Sequence, residues 1–387
     1  MKKPFLLFVC VSLILNSQFS ILNSLAAQDT TYARRVIRQL SSPTMKGRGA
    51  SHKGDSLAAA FLATEMRNIG LQPLAPDYLQ HYTYPCYSFT GPVRLSINGK
   101  ELIPYSQFRI CPSSRYATPE KLKKARWSQQ QDDGTWILSV DKLDTYGPIT
   151  GPLRPNPVCI EVLDSLIPRR VRKVEYQIPL QHHPAYRSQN VVGYLPGEVD
   201  TMMVFTAHYD HCGTMGDGVL FPGAHDNASG VAAVLDIARQ FSKSQNHYTL
   251  VFMLFSGEES GLLGSSYAAD HPLINFSKVR LLCNIDMFCG GDEGLMVFNA
   301  DAKETKPYYN RMKALNDSLQ VAPEVRPRKN SPNSDHYPFT KLCPAIFVLT
   351  MGGPYGGYHD PADTCHKCGL SNYNNNLTLL LQALGLN

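Results

Sequence analysis

The sequence predicts an α/β protein built in three layers, with a mixed, mostly parallel sheet flanked by helices and carrying a β-rich insertion. Apolar β-prone runs alternate with helical runs from about residue 190 onward, as in sheets that are covered by helices on both faces. Polar residues that could carry chemistry directly follow several of those apolar runs. Between about residues 78 and 189 prolines, tyrosines and short β-prone runs replace the alternation, which predicts the insertion.

The elements can be read in chain order from hydrophobic periodicity and stop signals. Helical periodicity over residues 31–42 and 54–74 predicts two helices, the second ending near Gly70. Short strands are expected in the insertion at 91–104 and 134–140. Beyond it, the pattern predicts strands at 201–208, 247–257, 279–288, 294–300 and 343–350, and helices at 228–243, 262–271 and 372–386.

The first residues are typical of a secretory signal peptide. Two lysines precede an apolar stretch, and small residues follow it before Gln28. We expect residues 1–27 to be a cleaved leader, residues 28–387 to form one enzyme domain, and the protein to be periplasmic or extracellular. Polar residues 16–18 interrupt the apolar stretch, and about 20 apolar residues are needed to span a bilayer. No stable membrane insertion is therefore expected after cleavage.

Composition is that of an ordinary globular protein. Of the 387 residues, 43% are hydrophobic and 18% are charged. The formal net charge of +5 falls to about +3 once the two leader lysines are removed. Because the charges are dispersed and form no long basic run, nucleic acid is not an expected partner.

Ten cysteines are present, and Cys10 lies in the leader. The remaining nine are an odd number, so an exported chain would keep at least one free thiol or form an intermolecular bond. Cys365 and Cys368 form a C-x-x-C motif. A redox pair or half of a zinc site is one interpretation, but without a second C-x-x-C a structural disulfide or plain thiols are favoured.

The residues that suggest chemistry follow the predicted strands. Open α/β sheets bind ligands at the carboxyl ends of their strands. Two imidazoles and several carboxylates suit zinc, and the absence of thiolate argues against a closed structural site. So many acids suggest two ions about 3.5–4 Å apart with a bridging carboxylate. The candidates are His208, Asp210, Asp226, Glu258, Glu259, Asp286 and His359.

The adjacent acids Glu258 and Glu259 raise the question of how two like charges coexist at the end of a buried strand. Two cations would keep Glu259 ionised as a ligand. Glu258, whose side chain diverges from its neighbour's, would be free to act as a general base. A purely structural interpretation makes Asp226 a helix cap and the glutamate pair a solvated first turn. The gathering of all candidates at strand ends in one half of the chain favours the metal site.

The ordered motifs AHYDH, GAHDNASG, SGEESGLLGS, NIDM, SDHYPF and YHDPADT, with residues 41–71, resemble the co-catalytic di-zinc exopeptidases. This superfamily includes secreted bacterial leucyl aminopeptidases, glutamate carboxypeptidase and glutaminyl cyclase, and the resemblance implies their phosphorylase/hydrolase-like fold. It implies that His208 and Asp286 bind one zinc, Glu259 and His359 the other, and that Asp226 bridges.

The same resemblance assigns the remaining roles. It makes Glu258 the general base and Asp210 the carboxylate that orients His208. Asp335 and His336 would lie behind the ligands or on the substrate side. A cis peptide bond is implied between Asp226 and Asn227. His225 stands where many relatives have aspartate, and we expect it to line the site without binding metal, as we do for His211 and Cys212.

The implied function is that of a secreted zinc-dependent exopeptidase with two zinc ions per chain. An aminopeptidase acting on peptides is favoured. One alternative is a single-zinc aminoacyltransferase of the glutaminyl cyclase kind that forms N-terminal pyroglutamate. Another is a non-catalytic binding protein on the same fold.

Overall fold

The computed structural model of the protein describes residues 30–111, 123–148, 158–353 and 357–386. The predicted leader lies outside these ranges. Six α-helices lie wholly within these ranges, and we number them in chain order: α1 Thr31–Leu40, α2 Gly54–Ile69, α3 Gly230–Phe241, α4 Leu263–Asp270, α5 Lys306–Leu319 and α6 Tyr373–Leu384. Within the described ranges, none of the helices has the length and apolar character needed to cross a membrane.

Eighteen strands are described, and most belong to one large sheet or to the insertion. In chain order they are β1 Gln72–Pro73, β2 Leu79–Phe89, β3 Arg94–Ile97, β4 Lys100–Glu101, β5 Phe108–Ile110, β6 Ser128–Gln130, β7 Trp136–Val140, β8 Cys159–Leu163, β9 Val174–Gln177, β10 Leu180–Leu195, β11 Gly197–His208, β12 Thr214–Met215, β13 Val219–Leu220, β14 Asn246–Phe255, β15 Val279–Ile285, β16 Gly294–Phe298, β17 Val325–Arg328 and β18 Ala345–Met351.

The main sheet has nine strands in the order β1-β10-β14-β11-β15-β18-β16-β17, with β2 paired to β10. The four central strands β14, β11, β15 and β18 run parallel. Antiparallel pairs flank them on both sides, through β10–β14 and β16–β18. This mixed sheet with a parallel centre confirms the predicted fold class, and it brings the carboxyl ends of four strands to one edge.

Hydrophobic cores on the two faces of the sheet produce the three layers. Along β14, Leu250, Phe252 and Leu254 pack into the core that also holds α1, α2, α3 and α6. The alternate residues of β14 join the opposite core, which includes Ala268 of α4 and Phe339. Because successive strand side chains point to opposite faces, a central strand buried on both sides reads as one apolar run.

The chain between β2 and β10 forms two smaller sheets, β4-β3-β9 and β5-β8-β7-β6. Strands β2 and β10, by contrast, pair over a long antiparallel stretch and extend the main sheet. The smaller sheets share a separate hydrophobic core, which also includes Cys212, Met215 and Phe221 from the segment after β11. The β-rich insertion therefore packs directly against the loop that follows the central strand.

The C-x-x-C motif does not form a disulfide within itself. Cys368 is bonded to Cys289, 79 residues away in sequence, and Cys365 has no disulfide partner among the described residues. The bond links the segment after β15 to the approach to α6. The sequence left the pairing of these cysteines open, and the fold brings Cys289 to Cys368.

Candidate metal centre

Three buried side chains from separate segments meet where the central strands end. His208 is the last residue of β11, Asp286 follows β15, and Asp226 lies in the turn that leads to α3. Nε2 of His208 lies 3.3 Å from Oδ1 of Asp286 and 3.3 Å from Oδ1 of Asp226. Their ligand atoms all lie within 4.8 Å of one another. We call these three residues the first cluster.

A second group of ligand atoms lies beside the first. It consists of His211, Cys212, Glu259 and His359, whose ligand atoms again lie within 4.8 Å of one another. Nε2 of His359 lies 2.8 Å from Oε2 of Glu259, and Nδ1 of His211 lies 2.7 Å from Oε1 of the same residue. We call these four residues the second cluster.

The carboxylate of Asp226 lies between the two clusters. Its Oδ1 faces His208 at 3.3 Å, and its Oδ2 faces Nε2 of His359 at 3.3 Å. The Asp226–Asn227 peptide bond is cis, as the family resemblance implies. The backbone amides of His225 and Asp226 both donate hydrogen bonds to the carboxylate of Asp363. Asp363 thereby fixes the turn that presents Asp226 to both clusters.

Charge in the site is strongly unbalanced. Burial would lower the pKa of His208, but Asp286 and Glu258 raise that pKa well above its usual range. Burial would raise the pKa of Asp226, but His208 and His359 hold it well below its usual range. Buried carboxylates at this density require positive charge, and bound divalent ions would supply it in place of imidazole protons.

The donor atoms of the two clusters are suited to a metal. They are imidazole nitrogens, carboxylate oxygens and one sulfur, the ligand types of zinc. Nε2 of His211 is buried and has no hydrogen-bond partner among the described residues. Within the same ranges, the ion pairs of Asp226, Glu259 and Asp286 are with histidines only. These observations fit a site that is completed by cations.

Glu258 and Glu259 have opposite environments although they are adjacent. Burial, and then the neighbouring carboxylates, raise the pKa of Glu258 well above its usual range, although His208 opposes the shift. Burial also acts on Glu259, but His359 and His211 lower the pKa of that carboxyl to about 2. Paired carboxyls whose pKa values are pushed apart are typical of a divided acid–base role. Glu258 is the member that can hold a proton.

Asp210 supports the glutamate turn more directly than it supports His208. Its carboxylate accepts hydrogen bonds from the backbone amides of Glu258 at 3.1 Å and Glu259 at 3.3 Å. The carboxylate is 3.7 Å from Nδ1 of His208, beyond hydrogen-bond range, whereas the backbone carbonyl of Asp210 lies 3.2 Å from that nitrogen. A carbonyl only accepts, so Nδ1 carries the proton and Nε2 is left free to bind a metal.

Asp335 and His336 belong to neither cluster. Burial raises the pKa of Asp335 to about 7, and the charge of His208 opposes this rise. His336 places Nε2 3.1 Å from Oδ1 of Asn330, and its ring packs near Phe347. Asp286 is instead held by Ser334, whose hydroxyl donates to Oδ2 at 2.7 Å.

The insertion orients His359. Nδ1 of this histidine donates to the backbone carbonyl of Tyr146 at 2.7 Å, which leaves Nε2 facing Asp226 and Glu259. The Tyr105 hydroxyl donates to the carboxylate of the next residue, Asp360, at 2.8 Å. Both tyrosines pack on Phe221. Sequence patterns carry no sign of this support, because the contact with His359 is made by a backbone carbonyl.

Arg48 is a second structural element that the sequence did not reveal. Its guanidinium is fully buried and, in the part of the chain that the structure describes, donates only to backbone carbonyls. The acceptors are Leu40, Tyr209, Pro222, Gly223 and Asp226. One side chain thus joins the end of α1, the loop after β11 and the turn that carries Asp226. Its position in a G-R-G tripeptide within the family-like N-terminal segment was the available signal.

Replacing Asp363 with alanine should weaken metal binding, because the two amides that fix Asp226 would lose their acceptor. Loss of such an outer partner typically lowers metal affinity by roughly 10–100-fold. Chelator competition on the purified variant measures the change. Asp301→Ala, at an exposed position, is the matched control and should leave affinity unchanged. Equal affinity in both variants would show that Asp363 does not support the site.

Known peptidases resemble this chain in sequence. A family model described as Peptidase family M28 matches residues 190–384. Aminopeptidase YwaD of Bacillus subtilis (strain 168) is 39% identical over 247 residues, which cover 59% of this chain and 51% of that protein. The chain therefore spans about half the length of this curated relative, and it spans 16–26% of several others.

Solved structures share the fold over nearly the whole chain. A zinc aminopeptidase from Bacillus subtilis superposes with a TM-score of 0.64 at 18% identity, covering 92% of this chain and 94% of that one. Glutaminyl cyclase of Porphyromonas gingivalis superposes with a TM-score of 0.55 at 13% identity, covering 92% and 98%. Both kinds of protein thus share the fold of this chain.

Proposed function

The chain belongs to peptidase family M28, and from this premise we propose that it is an exported zinc-dependent aminopeptidase that works with two ions. Three parts of this function go beyond family membership: the number of ions, the reaction at a peptide N-terminus, and export.

The observation that carries the two-ion proposal is the position of the Asp226 carboxylate. Its two oxygens each lie 3.3 Å from a different histidine, His208 on one side and His359 on the other. A carboxylate that faces two ligand groups in this way suits a bridge between paired ions. His208 and Asp286 would hold one ion, Glu259 and His359 the other, with Asp226 shared.

Bound zinc supplies a Lewis acid for the scissile carbonyl and lowers the pKa of a water molecule. The protein's own contribution to the reaction is proton transfer and positioning. Glu258, half-buried beside the clusters, takes the proton of the attacking water and returns it to the leaving amine. Asp210 holds the backbone of Glu258 and Glu259 in place.

Export is supported by two features. The first 27 residues have the composition of a cleaved leader. The Cys289–Cys368 disulfide is of the kind that persists in oxidising compartments. Expression of the full chain in a bacterial host, followed by fractionation and N-terminal sequencing, should find a mature N-terminus near Gln28 outside the cytoplasm. Recovery of the uncleaved chain in the cytoplasm would contradict export.

Metal content and substrate range test the reaction itself. The purified mature chain should carry two zinc ions, release leucine from an unblocked leucyl peptide, lose activity to a chelator and regain it with zinc. The same peptide with an acetylated amine is the matched control and should remain intact, since an aminopeptidase requires the free N-terminus.

Other outcomes would identify the alternatives. Conversion of N-terminal glutamine to pyroglutamate without hydrolysis, with one bound zinc, would mean glutaminyl cyclase chemistry. Cleavage of the blocked peptide would mean a different peptidase specificity. Absence of bound metal and of turnover in a folded protein would mean a binding protein on this fold.

A further inference from the structure

We propose that Cys212 binds the ion of the second cluster directly through its sulfur and that, with His211, it brings the protein ligands of that ion to five, beside Glu259, His359 and the shared Asp226. The inference rests on the proposed function, since it takes the paired-ion centre as given and concerns what holds one of the two ions. It changes the expectation drawn from sequence, in which both residues only line the site.

The side chains of His211 and Cys212 converge on Glu259. Nδ1 of His211 lies 2.7 Å from Oε1 of Glu259, and Sγ of Cys212 lies 3.9 Å from the same oxygen. The cysteine is 4% exposed and the histidine is fully buried. Ligand atoms of these three residues and of His359 lie within 4.8 Å of one another, which is the compactness expected around a single ion.

The loop that carries His211 and Cys212 is fixed at both ends. The His211 amide donates to the carbonyl of Arg48 at 3.4 Å, and the Gly213 amide donates to the carbonyl of Gly47 at 3.0 Å. Gly213 has a φ of +73°, a conformation that glycine adopts without strain. The backbone therefore delivers two successive side chains to Glu259 in a defined position, as a metal site requires.

A buried cysteine can also serve as a small apolar residue, and Cys212 does contact the insertion core that contains Phe221. Cys212 differs from Cys283 in its surroundings, because Cys212 belongs to the second cluster. Cys283 is a buried strand residue packed in the apolar core on one face of the sheet. Cys212 has apolar neighbours on one side and a carboxylate and two imidazoles on the other. Nε2 of His211 is also buried without a hydrogen-bond partner among the described residues.

Thiolate ligation would make the two ions unequal. With the shared Asp226, the ion of the second cluster would have five protein ligands, whereas catalytic zinc keeps a position open beside three. The first cluster, with His208, Asp226 and Asp286, has three. The ion there would then be the one accessible to water and substrate. On binding, the Cys212 thiol loses its proton to the buffer and the sulfur–metal bond forms, with no change in oxidation state.

Cobalt(II) in place of zinc gives a direct readout of the sulfur. The wild-type chain loaded with two cobalt ions should show a sulfur-to-cobalt charge-transfer band in the near ultraviolet, and Cys212→Ser should lose it. The serine variant should also bind one of its two ions at least 10-fold more weakly. Loss of a partner that only supports a ligand already lowers metal affinity by roughly 10–100-fold.

Cys343→Ser is the matched control, because Cys343 lies just before β18, at the end of the sheet opposite the site. It should keep the band and both affinities. If Cys212→Ser fails to fold, zinc-edge X-ray absorption of the wild-type chain tests the same ligand. We expect it to find one sulfur at roughly 2.3 Å from zinc.

Two bound ions with no charge-transfer band and no sulfur neighbour would overturn the role of Cys212 while leaving the proposed function intact. Failure of the proposed function is separate and would be seen in the wild-type chain as the absence of paired ions or of peptide hydrolysis.

Discussion

Replacing Glu258 with glutamine is expected to lower kcat for peptide hydrolysis by about 10²–10⁴-fold, the usual contribution of a positioned general base. Glutamine has nearly the same shape but cannot accept the proton of the attacking water. Because Glu258 is not among the residues whose ligand atoms form the two clusters, the variant should retain both zinc ions. Steady-state kinetics and metal analysis of the same preparation measure the two effects together.

The neighbouring residue and an exposed glutamate provide the controls for Glu258. Glu259→Gln removes a residue of the second cluster, so it should lose metal as well as activity. Glu304→Gln, on the exposed surface before α5, should change neither. Wild-type turnover in Glu258→Gln would rule out the proton-transfer role, and loss of zinc from that variant would show that the residue binds metal.

Replacing Arg48 with methionine should destabilise the protein by about 3–5 kcal/mol, comparable to the loss of one partner from a buried ion pair. Methionine fills much of the same volume but removes the guanidinium donor from the five carbonyls that Arg48 contacts. Each unsatisfied buried polar group costs roughly 1–3 kcal/mol before relaxation. Urea denaturation of the metal-free protein measures the change.

Arg38→Met on the exposed side of α1 is the matched control and should shift stability by less than about 0.5 kcal/mol. Arg48→Lys should fall between the two, because lysine keeps the charge but cannot reach several carbonyls with a planar fork. Denaturation midpoints equal to wild type in Arg48→Met would mean that water replaces the guanidinium without cost, contrary to this interpretation.

Elements with a strong apolar pattern were predictable from sequence, and those without one were not. In α1 the buried residues Ala33, Val36, Ile37 and Leu40 recur at helical spacing, and the helix was predicted within two residues. In α5 only Met312 and Asn316 are buried, so its sequence carries little amphipathic signal and it was not predicted. Strand β2 alternates clearly, but its buried positions include Gln80 and two tyrosines, which obscured its place in the main sheet.

The candidate site was partly readable for a geometric reason. Parallel strands end at one edge of the sheet, so polar residues that follow them, such as His208 and Asp286, must lie near one another. Supporting contacts have no such rule. Arg48 donates to backbone carbonyls, and Tyr146 contributes its own backbone carbonyl. Cys289 is bonded to Cys368, 79 residues away in sequence. Residue type and spacing do not encode these partners, because they depend on how distant loops are folded together.

His359 donates a hydrogen bond to the carbonyl of Tyr146. The region between β2 and β10 is therefore needed to position this histidine. Any chimera that exchanges this region between homologous enzymes would also exchange a fixed point for one imidazole at the reaction centre. Grafts that preserve the path of the main chain at position 146 should stay functional, and shortened versions should lose coordination before they lose the surrounding scaffold.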